Sequence, residues 1–549
     1  MVDLSRNFLE QDTFSQRYVG LLSGSYQCVD RIVLNGYFRF LQSGGGFRTW
    51  WNRVFGSEEK LDQKGLLRFA GHFGRRVQAW ARKNDIPIRW VVDLAENERP
   101  HEVGESFRPQ DATRAGVFCV MVHRAPNSVW QVTPLPKGQK HLSRKRACVN
   151  HYAFHIQDRQ WGHLTIKVCP HPPFNIQVIL NGHEFLACEL RRRGIAVIQE
   201  GNCFVSSPRL ADLQQVAETS RSDALGRLEQ VCERWLCSAC LCFLMPQERW
   251  RERELKCDWS VYQIELSRNL WFQQGPQRDQ VFQSVIDHTR QALAVNTIKT
   301  VFGRKNRPWR QRGRPAACEV QIERPEYDVT VLKVQLGLRQ LKIYSKGEHT
   351  LRIEVTIHNV RKEFPRVSVR YAGDIVAQME AMLTRFLDVL QSVSECWITS
   401  GELDRLAQPG QLGAARVAGV DLNRPRLRAV LSAVIALAVD PRGFRTEHVA
   451  AKVCERLGSD YTPRQASYDL RKLRAKNLVT TIPGTRRYEC PPAGVRSLMA
   501  LTVLREQILE PLLNGLTRNE PPAPTPADSV YEAARAALEQ LMKSLGLAA

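Results

Sequence analysis

Residues 341–357 read LKIYSKGEHTLRIEVTI, and this stretch predicts the character of the central part of the chain. Side chains alternate between the two faces of a strand, so Lys342, Tyr344 and Lys346 share one face of a first strand. On a second strand, one face carries Arg352, Glu354 and Thr356. The opposite face is wholly apolar: Leu351, Ile353, Val355 and Ile357. We therefore predict a two-stranded hairpin with one polar face and one core face.

The polar face of this hairpin collects cations, a phenol and a carboxylate. Such a set can hold a phosphate, bind a metal ion through Glu354 or present Tyr344 as a nucleophile. We take Tyr344, Lys346, Arg352 and Glu354 as candidate catalytic residues. The same residues can instead form cross-strand ion pairs on a solvated face.

The hairpin resembles a pair of strands in some phage and plasmid replication initiators, in which a lysine-tyrosine-lysine strand precedes a leucine-arginine-isoleucine-glutamate strand. It departs from them in lacking a clear pair of histidines separated by one apolar residue. The resemblance implies a mobile or replicating genetic element and a metal-dependent strand-cleaving role for the central sheet.

Histidines concentrate before this hairpin, with five of the 13 between His151 and His183. A hairpin whose turn lies within residues 157–162 would bring His155 near His163. Imidazoles so placed can bind a metal ion, move protons or, when protonated, grip phosphate. They can equally be hydrogen-bonded within a sheet. We take His155 and His163 as candidate catalytic residues, and Asn181-Gly182 as a hairpin turn.

The N-terminal range, residues 1–136, alternates helical and extended patterns and predicts an α/β domain. Asp30 lies in the segment CVDRIVLNGYF, and Asp93 ends the apolar segment IRWVVD. Carboxylates at strand ends can assemble a two-metal site. We take Asp30 and Asp93 as candidate ligands of Mg²⁺ or Mn²⁺, although both can be ordinary surface acids.

Two basic runs contain no acidic residue. Residues 137–146 are expected to link the N-terminal domain to a mainly antiparallel α+β domain over residues 149–400. The second run interleaves cations with an aromatic ring, a pattern suited to single strands or to phosphate backbones. Its candidate nucleic-acid-binding residues are Arg304, Lys305, Arg307, Trp309, Arg310, Arg312 and Arg314.

Residues 421–515 predict a winged helix-turn-helix domain. Thr462 and Pro463 open its third helix as cap and first helical residue. The core face of that helix carries Ala466, Leu470 and Leu473. The outward residues are Arg464, Ser467, Tyr468, Arg471, Lys472 and Arg474, and the turn of the following hairpin adds Arg486 and Arg487.

This pattern resembles the winged-helix domains of bacterial regulators and mobile-element proteins, which implies duplex DNA as a partner. A winged helix can also bind protein or only pack within the fold. A Pro-rich linker and a terminal helix are expected over residues 516–549.

The whole chain of 549 residues is basic, with a net charge of +22, and such a surplus attracts nucleic acid. No phosphate-loop, dinucleotide, HExxH or GxSxG motif is present, so neither a nucleotide nor a nicotinamide cofactor is expected. The N-terminus is too polar for a signal peptide, and the longest apolar run, residues 429–439, is too short to cross a bilayer. A cytoplasmic protein with no membrane partner is expected.

Several segments together, among them CVDRIVLNGYF (28–38), HYAFHIQDRQWGHLTIK (151–167) and KIYSK (342–346), resemble a widespread bacterial family that ends in a winged helix. That resemblance transfers no catalytic residue. The expected fold is a multidomain α/β protein. The expected function is nucleic-acid binding in a mobile or replicating element, with metal-dependent DNA nicking, cleavage or strand transfer. The alternative is a non-enzymatic DNA-binding regulator or a ribonucleoprotein subunit that binds structured RNA.

Overall fold

The alternating segments of the sequence assemble into one large sheet. The computed structural model describes residues 12–503 and residues 505 and 536, except 58–60, 94–99, 112–113, 137–139, 246–248, 250–254, 293–317, 327–328, 337, 395–401, 439, 441 and 459. Within these residues the sheet has eleven strands in the order β10-β11-β12-β13-β9-β1-β6-β5-β4-β3-β2. Those strands are β1 Leu22–Phe38, β2 Ile88–Trp90, β3 Gly116–Pro134, β4 Lys140–Asp158, β5 Gly162–Val168, β6 Ile176–Asn181, β9 Cys257–Phe272, β10 Cys318–Glu326, β11 Val329–Leu336, β12 Arg339–Lys346 and β13 Thr350–Ile357.

Helices and short hairpins surround this sheet, so the described fold is mixed α/β. The helices are α1 Thr13–Arg17, α2 Gly44–Phe55, α3 Gln63–Lys83, α4 Pro100–Glu105, α5 Gly182–Arg192, α6 Leu210–Gly226, α7 Leu228–Ala239, α8 Gly275–Ala292, α9 Val360–Glu363, α10 Ala372–Ser394, α11 Glu402–Ala407, α12 Pro425–Ala438, α13 Thr446–Leu457, α14 Pro463–Ala475 and α15 Pro492–Val503. The short strands are β7 Ile198–Gln199, β8 Phe204–Ser206, β14 Gly410–Leu412, β15 Ala415–Val417, β16 Thr480–Thr481 and β17 Tyr488–Glu489.

The predicted hairpin of residues 341–357 is present as β12 and β13. Gly347, in the turn between them, has a φ of +56°. A Cβ atom there would also lie 2.8 Å from a side-chain carbon of Val205, so glycine suits this turn in both respects. The apolar face of β13 belongs to the same buried cluster as residues of α10 such as Met379 and Leu383. Burying each such side chain stabilises the fold by roughly 1.5–3 kcal/mol.

The first basic run is mainly a strand and not a linker. Lys140–Arg146 forms the first part of β4 and pairs with Ser128–Pro134 of β3. Since β3 and β4 pair along most of their length, the sheet includes residues 140–148, which lie in the segment expected to join two domains. Strands from residues 1–136 and from residues 149–400 share this sheet. All its pairings are antiparallel among the described residues except that of β2 with β3.

The C-terminal unit, residues 425–503, contains α12, α13 and α14, then the β16–β17 hairpin and α15. Thr462 caps α14 as predicted, since its hydroxyl accepts a hydrogen bond from the Gln465 amide. Ala466, Leu470 and Leu473 are fully buried, in agreement with the predicted core face. The predicted range 516–549 lies outside the described residues apart from residue 536.

Ion pairs join the C-terminal unit to the sheet. Arg339, the first residue of β12, donates to both carboxylate oxygens of Asp440, at 2.5 and 3.3 Å. Asp440 lies between α12 and α13. Arg385 of α10 also pairs with Glu489 of β17, at 3.0 Å. The strand that carries Tyr344 is therefore tied at its first residue to the segment that leads into α13.

No helix within the described residues combines enough length and apolar character to span a membrane.

Candidate functional site

The hairpin brings its predicted polar residues into direct contact. Lys342 lies opposite Glu354, and Tyr344 lies opposite Arg352. Lys342 Nζ is 2.8 Å from Glu354 Oε1, and the Tyr344 hydroxyl donates to Glu354 Oε2 at 3.0 Å. Arg352 Nε donates to the Tyr344 oxygen at 2.8 Å. Lys346 lies on the same face at the turn, opposite Thr350. The phenol is therefore held between a carboxylate and a guanidinium.

A buried carboxylate from the middle of the sheet completes this cluster. Asp30 of β1 forms an ion pair with Arg352, and both side chains are at most 1% exposed. Between them lies β9, whose Asn269 accepts from Arg352 Nη1 at 3.0 Å and whose Ser267 donates to Asp30 Oδ1 at 2.9 Å. Ser267 and Asn269 were not among the predicted site residues. The sequence signal that could have found them is their alternation in the segment ELSRN, which places both on one face of a strand.

Glu265 of β9 was not predicted either, although it lies on the same face. It pairs across the sheet with Thr356, while Glu354 pairs with Ser267. Burial, together with the charges of Glu354 and Asp30, raises the pKa of Glu265 to about 7. The pKa of Glu354 is shifted in the opposite direction. Burial would raise it, but the charges of Lys342 and Arg352 lower it to about 2. The two carboxyl groups on this face of the sheet therefore differ in acidity.

The Tyr344 phenol itself is a weak acid in this setting. Burial, and after it the charge of Glu354, raises its pKa above the usual value, and the opposing effect of Arg352 does not cancel the rise. A nucleophilic Tyr344 would therefore need a base at the moment of attack. Glu354 Oε2, which already accepts the phenol hydrogen bond, is the group in position.

The two candidate histidines also meet, as the sequence predicted. His155 Nδ1 lies 3.0 Å from His163 Nε2, across the β4–β5 pair. Glu105 pairs with His163 Nδ1, and Arg108 joins Glu105 at 2.9 Å. Arg108 also binds Glu184 at 2.6 Å. Burial would raise the pKa of Glu105, but the contact with His163 and that with Arg108 lower it to about 2.

This histidine pair lies apart from the tyrosine cluster. It belongs to β4 and β5, whereas Tyr344 belongs to β12, and β13, β9, β1 and β6 lie between them in the sheet. The structure therefore does not combine His155 and His163 with Tyr344 and Glu354 in one site.

The expected pairing of Asp30 with Asp93 is not found. Asp93 follows β2 at one edge of the sheet, and four strands separate β2 from β1. Asp30 instead lies beside Cys28 and His183, and these three buried side chains form a group that can hold a metal ion. The Asn181-Gly182 segment is also not a hairpin turn, because Asn181 caps α5 and delivers His183 to this group.

The outward face of α14 is basic, with one exception. Arg464 and Arg471 are exposed, Tyr468 is 49% exposed, and Ser467 and Arg474 are half-buried. Lys472 is instead buried, and its ammonium lies 3.3 Å from the buried Asp469 carboxylate.

The two arginines of the β16–β17 turn differ from each other as well. Arg486 is exposed, while Arg487 donates to the Gly443 carbonyl at 2.8 Å. The basic run of residues 304–314 lies outside the described residues.

Comparisons with known proteins give little further guidance. No protein-family profile matches the chain, and no curated protein matches it. Among solved structures, a rolling circle replication initiator protein from Geobacillus stearothermophilus is similar over 71% of this chain and 89% of its own, with 9% identity and a TM-score of 0.17. A TM-score this low does not establish a common fold.

Proposed function

We propose that this protein binds DNA of a mobile or replicating element through its C-terminal unit and cleaves one strand with Tyr344. The observation that carries the proposal is the Tyr344–Glu354 contact, in which a half-buried phenol donates to a carboxylate while Lys342 and Arg352 supply positive charge beside it. This arrangement unites a nucleophile, a proton acceptor and cations for a phosphodiester in one place.

In the proposed step, Tyr344 Oη bonds to phosphorus and its proton passes to Glu354 Oε2. The bond from phosphorus to the sugar oxygen breaks, and that oxygen leaves as a hydroxyl after taking a proton from water. Lys342 and Lys346 flank the phenol and would offset the charge of the phosphate. Glu265 and Glu354 supply carboxylate oxygens of the kind that Mg²⁺ or Mn²⁺ prefers, and such an ion would polarise the phosphate.

For the C-terminal unit we propose a winged helix. Three helices precede a short hairpin, and a bridge between Phe444 and Tyr488 adds an extended segment beside it. The exposed Arg464, Tyr468 and Arg471 suit a major groove, and the exposed Arg486 suits the adjacent backbone.

The experiment uses the full chain with a labelled random-sequence single-stranded DNA pool and Mg²⁺ or Mn²⁺. A DNA–protein adduct that survives denaturation is expected, and Tyr344→Phe should abolish it. Tyr262→Phe, which changes a tyrosine that is 39% exposed, is the matched control and should keep the adduct. An adduct that persists in Tyr344→Phe would remove Tyr344 as the nucleophile.

A non-enzymatic binder is the second candidate, and one observation favours it. The Tyr344 hydroxyl already donates to Glu354 and accepts from Arg352, and burial raises the pKa of the phenol. A purely structural hairpin would show the same contacts. That candidate predicts nucleic acid that co-purifies with the chain, sensitive to either DNase or RNase, and no adduct under any metal condition.

A further inference from the structure

A second group of side chains with its own chemistry lies where β1 passes the start of α5. Cys28 Sγ, a carboxylate oxygen of Asp30 and a ring nitrogen of His183 all lie within 4.8 Å of one another. The three residues are 6%, 1% and 0% exposed. Within the described part of the chain, no other set of three such residues meets this distance.

The backbone explains why these three side chains meet. Cys28 and Asp30 are two residues apart on β1. Asn181 accepts a hydrogen bond from the His183 amide at 2.9 Å, which fixes the first turn of α5. A Cβ atom on Gly182 would lie 1.7 Å from the Val29 carbonyl oxygen, so only glycine allows α5 to start this close to β1. His183 is thereby pressed against the strand that carries both other residues.

The Tyr26 hydroxyl lies against the His183 ring and contacts three groups. The Tyr26 hydroxyl accepts from the Phe204 amide at 2.7 Å and donates its one proton to Cys203 Sγ at 3.6 Å. It also lies 3.2 Å from His183 Nε2, and which of these two atoms donates depends on the tautomer of the ring. With the proton on Nε2, a neutral His183 donates to Tyr26 and carries its lone pair on Nδ1.

That lone pair faces a carboxylate. His183 Nδ1 lies 2.9 Å from Asp30 Oδ1, and this buried nitrogen has no hydrogen bond of suitable direction within the described structure. When the ring proton is on Nε2, the Nδ1 lone pair and the carboxylate oxygen repel each other at this distance. A cation placed between the two atoms would turn the repulsion into coordination.

We propose that Cys28, Asp30 and His183 bind a thiophilic divalent cation of the zinc class. A thiolate, an imidazole and a carboxylate together suit Zn²⁺, whereas Mg²⁺ prefers oxygen ligands alone. As the bond from Sγ to the metal forms, the Cys28 thiol proton leaves to solvent. Tyr26 orients the imidazole from behind, as an outer hydrogen-bond partner does in zinc sites.

Arg352 holds Oδ2 of Asp30, while Oδ1, which accepts from Ser267 at 2.9 Å, is the oxygen that lies 2.9 Å from His183 Nδ1. This proposed site shares the Asp30–Arg352 pair with the Tyr344 cluster, but it does not depend on strand cleavage.

The test titrates Co²⁺, a spectroscopic substitute for Zn²⁺, into the full chain after removal of bound metal. One equivalent should give a thiolate-to-cobalt charge-transfer band in the near ultraviolet, and Zn²⁺ should displace it. Cys28→Ser should lose the band and weaken Zn²⁺ binding by more than about 100-fold, since even the loss of an outer partner costs about 10–100-fold. Tyr26→Phe should weaken binding within that smaller range.

Cys119→Ser is the matched control, because Cys119 is also a buried free cysteine but lies on β3, outside the group of three and away from Tyr26. It should keep the band and the stoichiometry. Zn²⁺ should also raise the melting temperature of the parent chain and not that of Cys28→Ser, which tests the site even if that variant is less stable.

A parent chain that gives no band, or a band that survives in Cys28→Ser, would overturn the proposal. So would an NMR signal showing that His183 carries a proton on Nδ1 in the presence of Zn²⁺. Failure of the adduct experiment with Tyr344 would leave this result unaffected, and the Glu354→Gln variant should bind Co²⁺ as the parent chain does.

Discussion

Arg352 and Asp30 form a buried ion pair between strands that are not neighbours. Arg352 is on β13 and Asp30 is on β1, and the guanidinium reaches across the whole width of β9 to the carboxylate. Both groups are removed from water, so neither can be left alone without a large cost.

Removal of one member of this pair should therefore destabilise the sheet strongly. Arg352→Ala is expected to lower the free energy of unfolding by about 3–5 kcal/mol, because it leaves Asp30 charged and buried. Urea unfolding followed by far-ultraviolet circular dichroism measures the decrease. Arg39→Ala removes one member of the exposed Arg39–Asp258 pair and should cost at most about 1 kcal/mol. Equal decreases in the two variants would contradict the structure.

Glu265 should make stability depend on pH. Its pKa is raised in the folded chain to about 7, from 4.5. The folded state then binds more protons than the unfolded state between these values, so this residue lowers stability as pH rises through about 7. Glu265→Gln removes the effect. In a metal-free buffer with chelator, its melting temperature relative to the parent should increase from about pH 5 to about pH 8. A difference that is independent of pH would refute the assignment.

The basic face of α14 should contribute to DNA affinity by neutralising phosphates. Arg464→Ala and Arg471→Ala should each weaken binding to a random-sequence duplex. Each should also reduce the slope of log affinity against log salt by about 0.9 for every phosphate that the variant no longer neutralises. Fluorescence anisotropy over a range of salt concentrations measures both quantities.

Lys472→Ala is the informative comparison on the same helix. Because Lys472 is buried beside Asp469, its removal should lower stability and leave the salt slope unchanged. A reduced slope in Lys472→Ala, with no change in the two arginine variants, would show that another surface binds the duplex.

Local patterns in the sequence predicted a good part of this structure. Alternation over residues 341–357 places Lys342, Tyr344, Arg352 and Glu354 on one face because the period of a strand is a local property. The same holds for the turn that brings His155 to His163. On α14, helical spacing correctly predicted the core face. It did not predict the burial of Lys472, which depends on Asp469 and on the Arg426 and Tyr461 side chains that bind the same carboxylate.

The long-range pairings could not be predicted in this way. Asp30 meets Arg352 because β9 pairs with both β1 and β13, and β1 precedes β9 by more than 200 residues in sequence. The register shift of β1 between Val29 and Ile32 also decides where Asp30 lies. Asp93 has a local setting similar to that of Asp30 in the sequence, yet its strand is at the edge of the sheet. The His183 position rests on a helix start that reads locally as a turn.

The contact between Arg339 and Asp440 gives the fold a thermodynamic consequence. If a ligand on the C-terminal unit moves Asp440 and Arg339 moves with it, the resulting coupling to the strand of Tyr344 acts in both directions with the same free energy. If duplex DNA raises the affinity of the hairpin for phosphate, then phosphate at the hairpin raises the affinity for the duplex by the same factor. DNA binding by the C-terminal unit and phosphate binding at the hairpin would then be thermodynamically linked through the Arg339–Asp440 contact.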